Sequence, residues 1–290
     1  MTYDTLIRQA LIIDGSNTPG YIADVGLRDG RIAAIGDLST ATAEHEIDAT
    51  GRVLAPGFID VHTHDDTVVI RQPQMLPKLS QGVTTVIVGN CGISASPVSL
   101  RSDPPDPMNL LGKREAFVYP RFSDYRDAVE NAHPAVNVAA LIGHTALRSN
   151  HMDDLHRTAT PDEIAAMCVQ LQESLEAGAL GLSTGLAYAS AFNAETDEVL
   201  QLSEELTAFG AVYTTHLRSE FEPVLEAMDE AFLIGRHAKV PVIISHLKCA
   251  GAGNWGRSPQ LLASLELAAK THPVGCDCYP YAASSSTLDL

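Results

Sequence analysis

Positive charge is scarce in this sequence. Its 290 residues include 19 lysines and arginines against 36 aspartates and glutamates, which gives a formal net charge of -17 at pH 7. A protein that binds nucleic acid or an anionic membrane without sequence preference must neutralise phosphates with Lys and Arg. We therefore predict that neither nucleic acid nor a membrane is a partner. A local basic pocket for a small anionic molecule remains compatible with this balance.

Long apolar runs are also absent. No stretch approaches the ~18 residues that a membrane-spanning helix requires, and the N-terminus, MTYDTLIRQALIIDG, lacks the basic segment and apolar core of a secretory signal. We therefore expect a cytoplasmic protein. Nothing in the sequence indicates its oligomeric state.

Cysteine is infrequent and unevenly spaced. The five residues are Cys91, Cys168, Cys249, Cys276 and Cys278. An odd number without regular spacing suits reduced thiols better than a disulfide framework. One of the five could therefore be a metal ligand. Cys276 and Cys278 share a strand face in GCDCYPY, but the residues around them do not supply a tetrahedral ligand set.

The chain shows two patterns of hydrophobic residues. Residues 1–54 are typical of short antiparallel strands, with Asp-Gly at 29–30 as a hairpin turn, and we assign them to part of a small β-sandwich domain. From residue 55 onward, apolar strands alternate with helical stretches, which predicts parallel βαβ units. The predicted strands lie near 55–61, 83–89, 136–142, 179–183, 211–215, 241–245 and 274–278. We therefore expect residues 55–290 to form an α/β (β/α)8 TIM-like barrel that is incomplete, with about seven strands instead of eight.

Two helices carry clear boundary signals. In the first, Thr160 is the predicted N-cap, Pro161 occupies the first helical position and Gly178 follows the end. A second helical stretch, DEVLQLSEELTAFG, ends at Gly210. The intervening Pro- and Asp-rich residues 96–120 predict an irregular excursion beside the barrel.

Four predicted strands end in residues that bind metals. They are GFIDVHTH (57–64), GVTTVIVGNC (82–91), AVYTTH (211–216) and PVIISH (241–246). Catalytic groups of parallel barrels lie where the strands finish, so the repetition predicts a hydrolytic metal site formed by His62, His64, Cys91, His216 and His246. Imidazole and thiolate suit Zn²⁺. Alternatively, the histidines could be held by hydrogen bonds within the strands, and Cys91 could be an inert buried thiol.

Six motifs together resemble one branch of a known superfamily. GFIDVHTHDD, GVTTVIVGNCGISASP, GLSTGLAYA, THLRSE, ISHLKCAG and CYPYAASS are similar to those of D-aminoacylases, or N-acyl-D-amino-acid deacylases, of the amidohydrolase superfamily. The His-x-His pair is common to many amidohydrolases, whereas a cysteine in GNCG is more discriminating, because many relatives use a carboxylated lysine. The resemblance implies that Cys91, His216 and His246 form a tight zinc site. The resemblance also places His62 and His64 at a second, weaker zinc site.

The resemblance also implies contacts with an anionic substrate. Lys248, Tyr279, Tyr188 and Ser285 are similar in position to residues that hold the substrate carboxylate and the scissile carbonyl. Lys248 follows the ligand His246 by two residues and so lies on the same strand-end face, and an anionic substrate needs a cation. A solvated lysine is the alternative.

Two further residues follow strand ends. Arg218 stands two residues after His216 and is a candidate for substrate binding by the same logic as Lys248. Glu220 could instead pair with Arg218 in a purely structural ion pair. His144, at the end of the third strand, could line the pocket or support it through a hydrogen bond.

The activity implied by the resemblance is zinc-dependent hydrolysis of N-acyl-D-amino acids to a D-amino acid and a carboxylate, with Tyr279 stabilising the oxyanion. In such enzymes an aspartate after the eighth strand transfers the proton. We expect no residue of this sequence to take that role, so an inactive zinc-binding fragment is one alternative. Another is a cyclic amidase of the dihydropyrimidinase or dihydroorotase type.

Overall fold

The computed structural model describes residues 2–281 and 283–285. The chain divides into two compact units, Met1–Phe58 and Ile59–Leu290. The two domains assigned from the sequence, 1–54 and 55–290, stay a prediction.

The first unit is a sheet of five strands: β1 (Thr2–Ile12), β2 (Tyr21–Arg28), β3 (Arg31–Gly36), β4 (Thr42–Asp48) and β5 (Val53–Leu54). The order is β3-β2-β1-β4, and β5 also pairs with β1. Asp29 and Gly30 both have positive φ, as the predicted hairpin turn between β2 and β3 requires. The expectation of antiparallel strands is wrong for β4 and β5, which pair in parallel with β1. The reason is that the chain leaves β3 at one edge and crosses the sheet before β4 begins at the other.

The second unit contains a curled sheet of seven strands in sequential order. They are β6 (Phe58–Asp60), β7 (Val83–Val88), β8 (Asn137–Gly143), β9 (Gly181–Gly185), β10 (Val212–His216), β11 (Val242–Ile244) and β12 (Val274–Cys276). The registers found between β7 and β12 are parallel. These observations confirm the predicted α/β class, an incomplete TIM-like barrel of seven strands together with a small N-terminal sheet.

Helices follow the strands of this sheet. They are α1 (Val68–Arg71), α2 (Leu76–Leu79), α3 (Phe122–Ala132), α4 (His144–His151), α5 (Pro161–Glu176), α6 (Thr196–Glu204), α7 (Val224–Ala238) and α8 (Ser258–Ala268). Their apolar faces and the apolar strand residues share one core, in which Met167 of α5, Leu182 of β9 and Ile234 of α7 are fully buried. Within the part of the chain that the structure describes, no helix has the length and apolar character to cross a bilayer.

The predicted helix boundaries are confirmed for α5. Thr160 and Glu163 form a reciprocal capping box, and Pro161 is the first helical residue. Gly178 follows the helix with φ +100°, a conformation that glycine adopts without a Cβ penalty. Gly210 ends the next helical stretch with φ +60°.

The predicted excursion at 96–120 contains only two short 3₁₀ turns, Met108–Leu111 and Arg114–Ala116. It has a small apolar core of its own, in which Val98 and Met108 pack with Ile93 and with Ala146 of α4. This core fixes the segment that follows the Cys91 loop.

Candidate metal centre

The predicted metal ligands converge at the carboxyl ends of the strands. Two sets of side chains have ligand atoms within 4.8 Å of one another: His62, His64 and Cys91, and Cys91, His216 and His246. The Cys91 Sγ lies 3.1 Å from the His62 Nε2 and 3.5 Å from the His246 Nε2. Cys91 therefore belongs to both sets and is the point at which they join.

The loop that carries Cys91 has an unusual backbone. Cys91 itself has φ +55°, and the flanking Gly89 and Gly92 have φ +79° and +75°. A Cβ at Gly89 would lie 2.1 Å from the Leu141 carbonyl oxygen, and one at Gly92 would lie 2.7 Å from the Gly185 nitrogen. Only glycine fits at these two positions, so β8 and β9 hold the Cys91 turn in place.

Two buried polar side chains clamp this loop. Asp66 accepts hydrogen bonds from the backbone nitrogens of Gly89 (3.3 Å) and Ala95 (3.1 Å). Ser183 of β9 accepts from the Gly92 nitrogen at 3.0 Å and donates to the Gly89 carbonyl. Burial raises the pKa of Asp66 to about 6, although the charge of His64 and the backbone hydrogen bonds oppose this. Sequence reasoning did not assign this role to either residue. The available signals were a second aspartate after the His-x-His pair and a serine inside a buried strand.

The electrostatics favour an ionised thiol. Burial raises the pKa of Cys91, but hydrogen bonds with His216, His246, His62 and His64 lower it by more, and the net pKa lies well below the ordinary value. A thiolate, rather than a thiol, is the form that binds metals. The reading of Cys91 as an inert buried thiol does not fit this environment.

The surrounding histidines respond to that charge. Burial lowers the pKa of His62, yet hydrogen bonds with Asp277 and Cys91 raise it to about 10. Burial likewise lowers the pKa of His246, and hydrogen bonds with Cys91 and Glu220 raise it to about 9. Without a metal, protons on these imidazoles balance the thiolate, so a cation that binds here has to displace them.

Asp277 is a site residue that sequence reasoning missed. Both of its carboxylate oxygens lie 3.2 Å from the His62 Nδ1, and one accepts a hydrogen bond of 2.6 Å from the backbone nitrogen of His246. It therefore joins residues that follow β6 and β11. The signal was its place directly after β12, between Cys276 and Cys278, where attention fell on the cysteines.

The other histidines have partners of their own. The Tyr188 hydroxyl lies 3.0 Å from the His216 Nδ1, and the Glu220 Oε1 lies 2.8 Å from the His246 Nδ1. A partner on one ring nitrogen fixes the ring orientation and leaves the other nitrogen for a metal. The structure thus places Tyr188 against His216, a candidate metal ligand, and in the lining of a small cavity next to it.

Four of the predicted substrate contacts line one cavity. Lys248, Tyr279, Tyr188 and Ser285 surround a space of about 160 Å³ whose lining also includes Cys91, His64, His216, Glu220 and His246. Lys248 hydrogen-bonds to Glu220, and its Nζ lies 5.6 Å from the centre of the Tyr279 ring. The structure therefore brings these four predicted residues to the candidate metal ligands.

Arg218 lines a second cavity, which shares His216 and Glu220 with the first. This cavity has a volume of about 600 Å³, and Arg218 pairs there with Glu230 at 2.8 Å and donates to the carbonyls of Phe192 and Ala194. The pair considered between Arg218 and Glu220 is not formed, because Glu220 turns toward Lys248. Substrate binding by Arg218 stays a prediction.

His144 belongs to a buried cluster with Glu198 and Arg148. It is fully buried at the start of α4 and lies 2.8 Å from Glu198, which also pairs with Arg148 at 2.6 Å. Burial lowers the pKa of His144. Of the two roles considered for it, the hydrogen-bonded one agrees with these contacts.

Comparison with known proteins places this arrangement in a family. Residues 45–290 match the model described as "Amidohydrolase family". The chain belongs to the amidohydrolase family. It is 48% identical over 286 residues to a D-aminoacylase and 44% identical over 286 residues to an N-acyl-D-glutamate deacylase, both from Alcaligenes xylosoxydans xylosoxydans. These alignments cover 99% and 98% of the chain but 59% and 58% of the relatives, so the chain spans less than two thirds of their length.

Solved structures of this amidohydrolase branch agree closely. A D-aminoacylase crystal structure is 48% identical, with a TM-score of 0.94 over 96% of the chain and 59% of the other protein. The N-acyl-D-glutamate deacylase from Bordetella bronchiseptica, complexed with zinc and a phosphonate inhibitor, is 42% identical with a TM-score of 0.93, over 97% of the chain and 59% of that protein. An L-hydantoinase from Arthrobacter aurescens, 18% identical with a TM-score of 0.60 over 96% of the chain and 58% of its own, shares the fold. The comparisons confirm the resemblance to D-aminoacylases.

Proposed function

We propose that this amidohydrolase-family protein hydrolyses the amide bond of N-acyl-D-amino acids with the help of Zn²⁺. The observation that carries the proposal is the Cys91 thiolate shared by two sets of histidines at the strand ends. The names of relatives point the same way, since a D-aminoacylase, an N-acyl-D-aspartate deacylase and an N-acyl-D-glutamate deacylase are 48%, 48% and 44% identical to the chain.

The residues present fit zinc. Zinc bonds to sulfur at ~2.3 Å and to imidazole nitrogen at ~2.0–2.1 Å, so tetrahedral ligand atoms lie about 3.5 Å apart. The Cys91 Sγ and the His246 Nε2 are separated by 3.5 Å. The Nδ1 atoms of His62, His216 and His246 have partners that leave the Nε2 atoms available.

We propose two zinc positions of unequal strength. Cys91, His216 and His246 hold the tight one, and the first two are 2% and 4% exposed. His62 and His64 would hold the weaker one, and Cys91 belongs to both groups of ligand atoms. The buried Nδ1 of His64 has no hydrogen-bond partner among the described residues, so less fixes the orientation of that ring.

A zinc ion supplies Lewis acidity, which polarises an amide carbonyl and makes water a stronger nucleophile near neutral pH. The protein supplies position and charge. The Tyr279 hydroxyl donates a hydrogen bond to the carbonyl oxygen as negative charge develops there. Lys248 and Ser285 hold the substrate carboxylate, and Tyr188 keeps His216 in place while it faces the same cavity.

A substrate panel tests the proposal. The purified protein is depleted of metal with a chelator and reloaded with zinc. Free amino acid is then measured by chiral chromatography, and the ring-opened N-carbamoyl acids of the cyclic amides are measured by liquid chromatography. The panel contains the N-acetyl derivatives of D-leucine, D-aspartate and D-glutamate, their L-enantiomers, and hydantoin and dihydrouracil. We expect zinc-dependent release from the D-enantiomers alone.

Three other results would overturn the proposal. Hydrolysis of the cyclic amides in place of the linear ones would make the protein a cyclic amidase. Turnover that survives complete metal removal would exclude the zinc mechanism. Zinc binding without hydrolysis of any substrate would identify a zinc-binding protein that lacks the activity.

A further inference from the structure

Glu220 lies where the candidate zinc ligands meet the substrate cavity. It is in the loop after β10, four residues beyond His216, and its side chain is 13% exposed. Its backbone oxygen accepts a hydrogen bond of 2.8 Å from the Ala250 nitrogen, which joins the loop after β10 to the loop after β11. The carboxylate is therefore held between two of the strand ends that form the site.

Two groups of opposite character approach the same nitrogen of His246. The Glu220 Oε1 lies 2.8 Å from the His246 Nδ1, and the Lys248 Nζ lies 2.9 Å from it. A carboxylate can only accept a hydrogen bond, whereas an ammonium group can only donate one. These two neighbours therefore favour opposite states of the imidazole.

The choice between them decides whether His246 can bind a metal. If Lys248 donated to the Nδ1, the neutral ring would carry its hydrogen on the Nε2, which faces the Cys91 Sγ at 3.5 Å, and no lone pair would point to a metal. If the Nδ1–H donates to Glu220, the Nε2 lone pair is free. Glu220 also accepts from Lys248 and so draws the ammonium hydrogens away from the ring.

We propose that Glu220 is a positioning residue of the zinc site, which selects the metal-binding tautomer of His246 against the competing influence of Lys248. This inference rests on the proposed zinc-dependent function. Lys248 then has two opposite effects. Its ammonium group suits an anionic substrate, but it would weaken zinc binding if the Glu220 carboxylate were lost.

The zinc affinity of variants, measured by competition with a chromophoric chelator, tests this role of Glu220 directly. Removal of a partner that orients a metal ligand costs about 10–100-fold in affinity, so Glu220→Ala should fall in that range. Glu220→Gln keeps an acceptor oxygen and should fall between Glu220→Ala and the unchanged protein. The decisive variant is Glu220→Ala combined with Lys248→Met: because the ammonium group is gone, it should bind zinc more tightly than Glu220→Ala alone.

Glu222→Gln is the matched control, since Glu222 is an exposed glutamate two residues along the same loop. Its affinity should stay within about twofold of the unchanged protein. The melting temperature of each metal-free variant separates a loss of affinity from a loss of folding. If Glu220→Ala does not fold, the comparison of Glu220→Gln with Glu222→Gln decides: weaker zinc binding is expected for Glu220→Gln alone.

Unchanged zinc affinity in Glu220→Ala would overturn the proposal, and so would a double variant that binds no more tightly than the single one. These outcomes differ from a failure of the proposed function. If the unchanged protein bound no zinc, that function itself would be wrong. If the unchanged protein bound zinc and released D-amino acids, and the Glu220 variants had the same zinc affinity, only the role proposed for Glu220 would be wrong.

Discussion

Replacement of Cys91 by serine should remove most of the metal affinity of this protein. Cys91 is the ligand common to both sets, so its loss leaves only two histidines in each. Four-ligand zinc sites bind with roughly 10–16 kcal/mol, which is about 2.5–4 kcal/mol per ligand. Since 1.4 kcal/mol corresponds to a factor of ten, the tight site should lose about 10²–10³ in affinity.

Chelator competition gives the affinity of Cys91→Ser, and cobalt substitution gives an independent readout, because a thiolate ligand adds a charge-transfer band that should vanish in the variant. Cys168→Ser is the matched control. Cys168 lies in α5, where burial raises the pKa of its thiol to about 11, and its replacement should leave both signals unchanged. Wild-type affinity and an intact cobalt band in Cys91→Ser would refute the assignment of Cys91 as the shared ligand.

Three further outcomes follow from the structure. Because the pKa of His246 is raised to about 9, protons should compete with zinc for this imidazole below pH 9. The zinc affinity should therefore rise about tenfold per pH unit between about pH 7 and 9. Titration calorimetry in two buffers should detect the release of about one proton per zinc. An affinity independent of pH would contradict this. Gly89→Ala should lower the free energy of unfolding by more than about 3 kcal/mol, because its Cβ would lie 2.1 Å from the Leu141 carbonyl oxygen. Gly30→Ala meets no atom within 4 Å and should cost only about 1–2 kcal/mol for its positive φ, so equal losses in urea denaturation would count against the packing argument. Thr160→Ala removes the capping box of α5 and should cost about 1 kcal/mol, measured in the same way; an unchanged urea midpoint would show that the cap contributes little.

Local pattern was sufficient to predict that the candidate metal ligands lie together. His62 and His64 alternate at the end of an apolar strand, and Cys91, His216 and His246 each follow one. In parallel strands joined by helices, all carboxyl ends lie on one side. Residues far apart in the sequence could therefore be predicted to meet before any distance was known.

Contacts between loops could not be predicted in the same way. Arg218 and Glu220 are two residues apart, which made a pair between them plausible, yet each turns to a residue of another segment, Glu230 and Lys248. Asp277 reaches His62 across 215 positions of the chain. Hydrophobic periodicity carries no information about such partners, because it reports which face of an element is buried and not where the following loop goes.

The sequence by itself determined the order of strands and helices, the ends at which the chemistry lies and the ligand types available there, because these depend on residue identity and spacing along one segment. Only the tertiary structure decided how that chemistry is tuned. The curl of the sheet brings β6, β11 and β12 close enough for Asp277 to join His62 and the His246 backbone. It also sets Glu220 and Lys248 against the same nitrogen of His246, a competition that arises only when two loops meet in space.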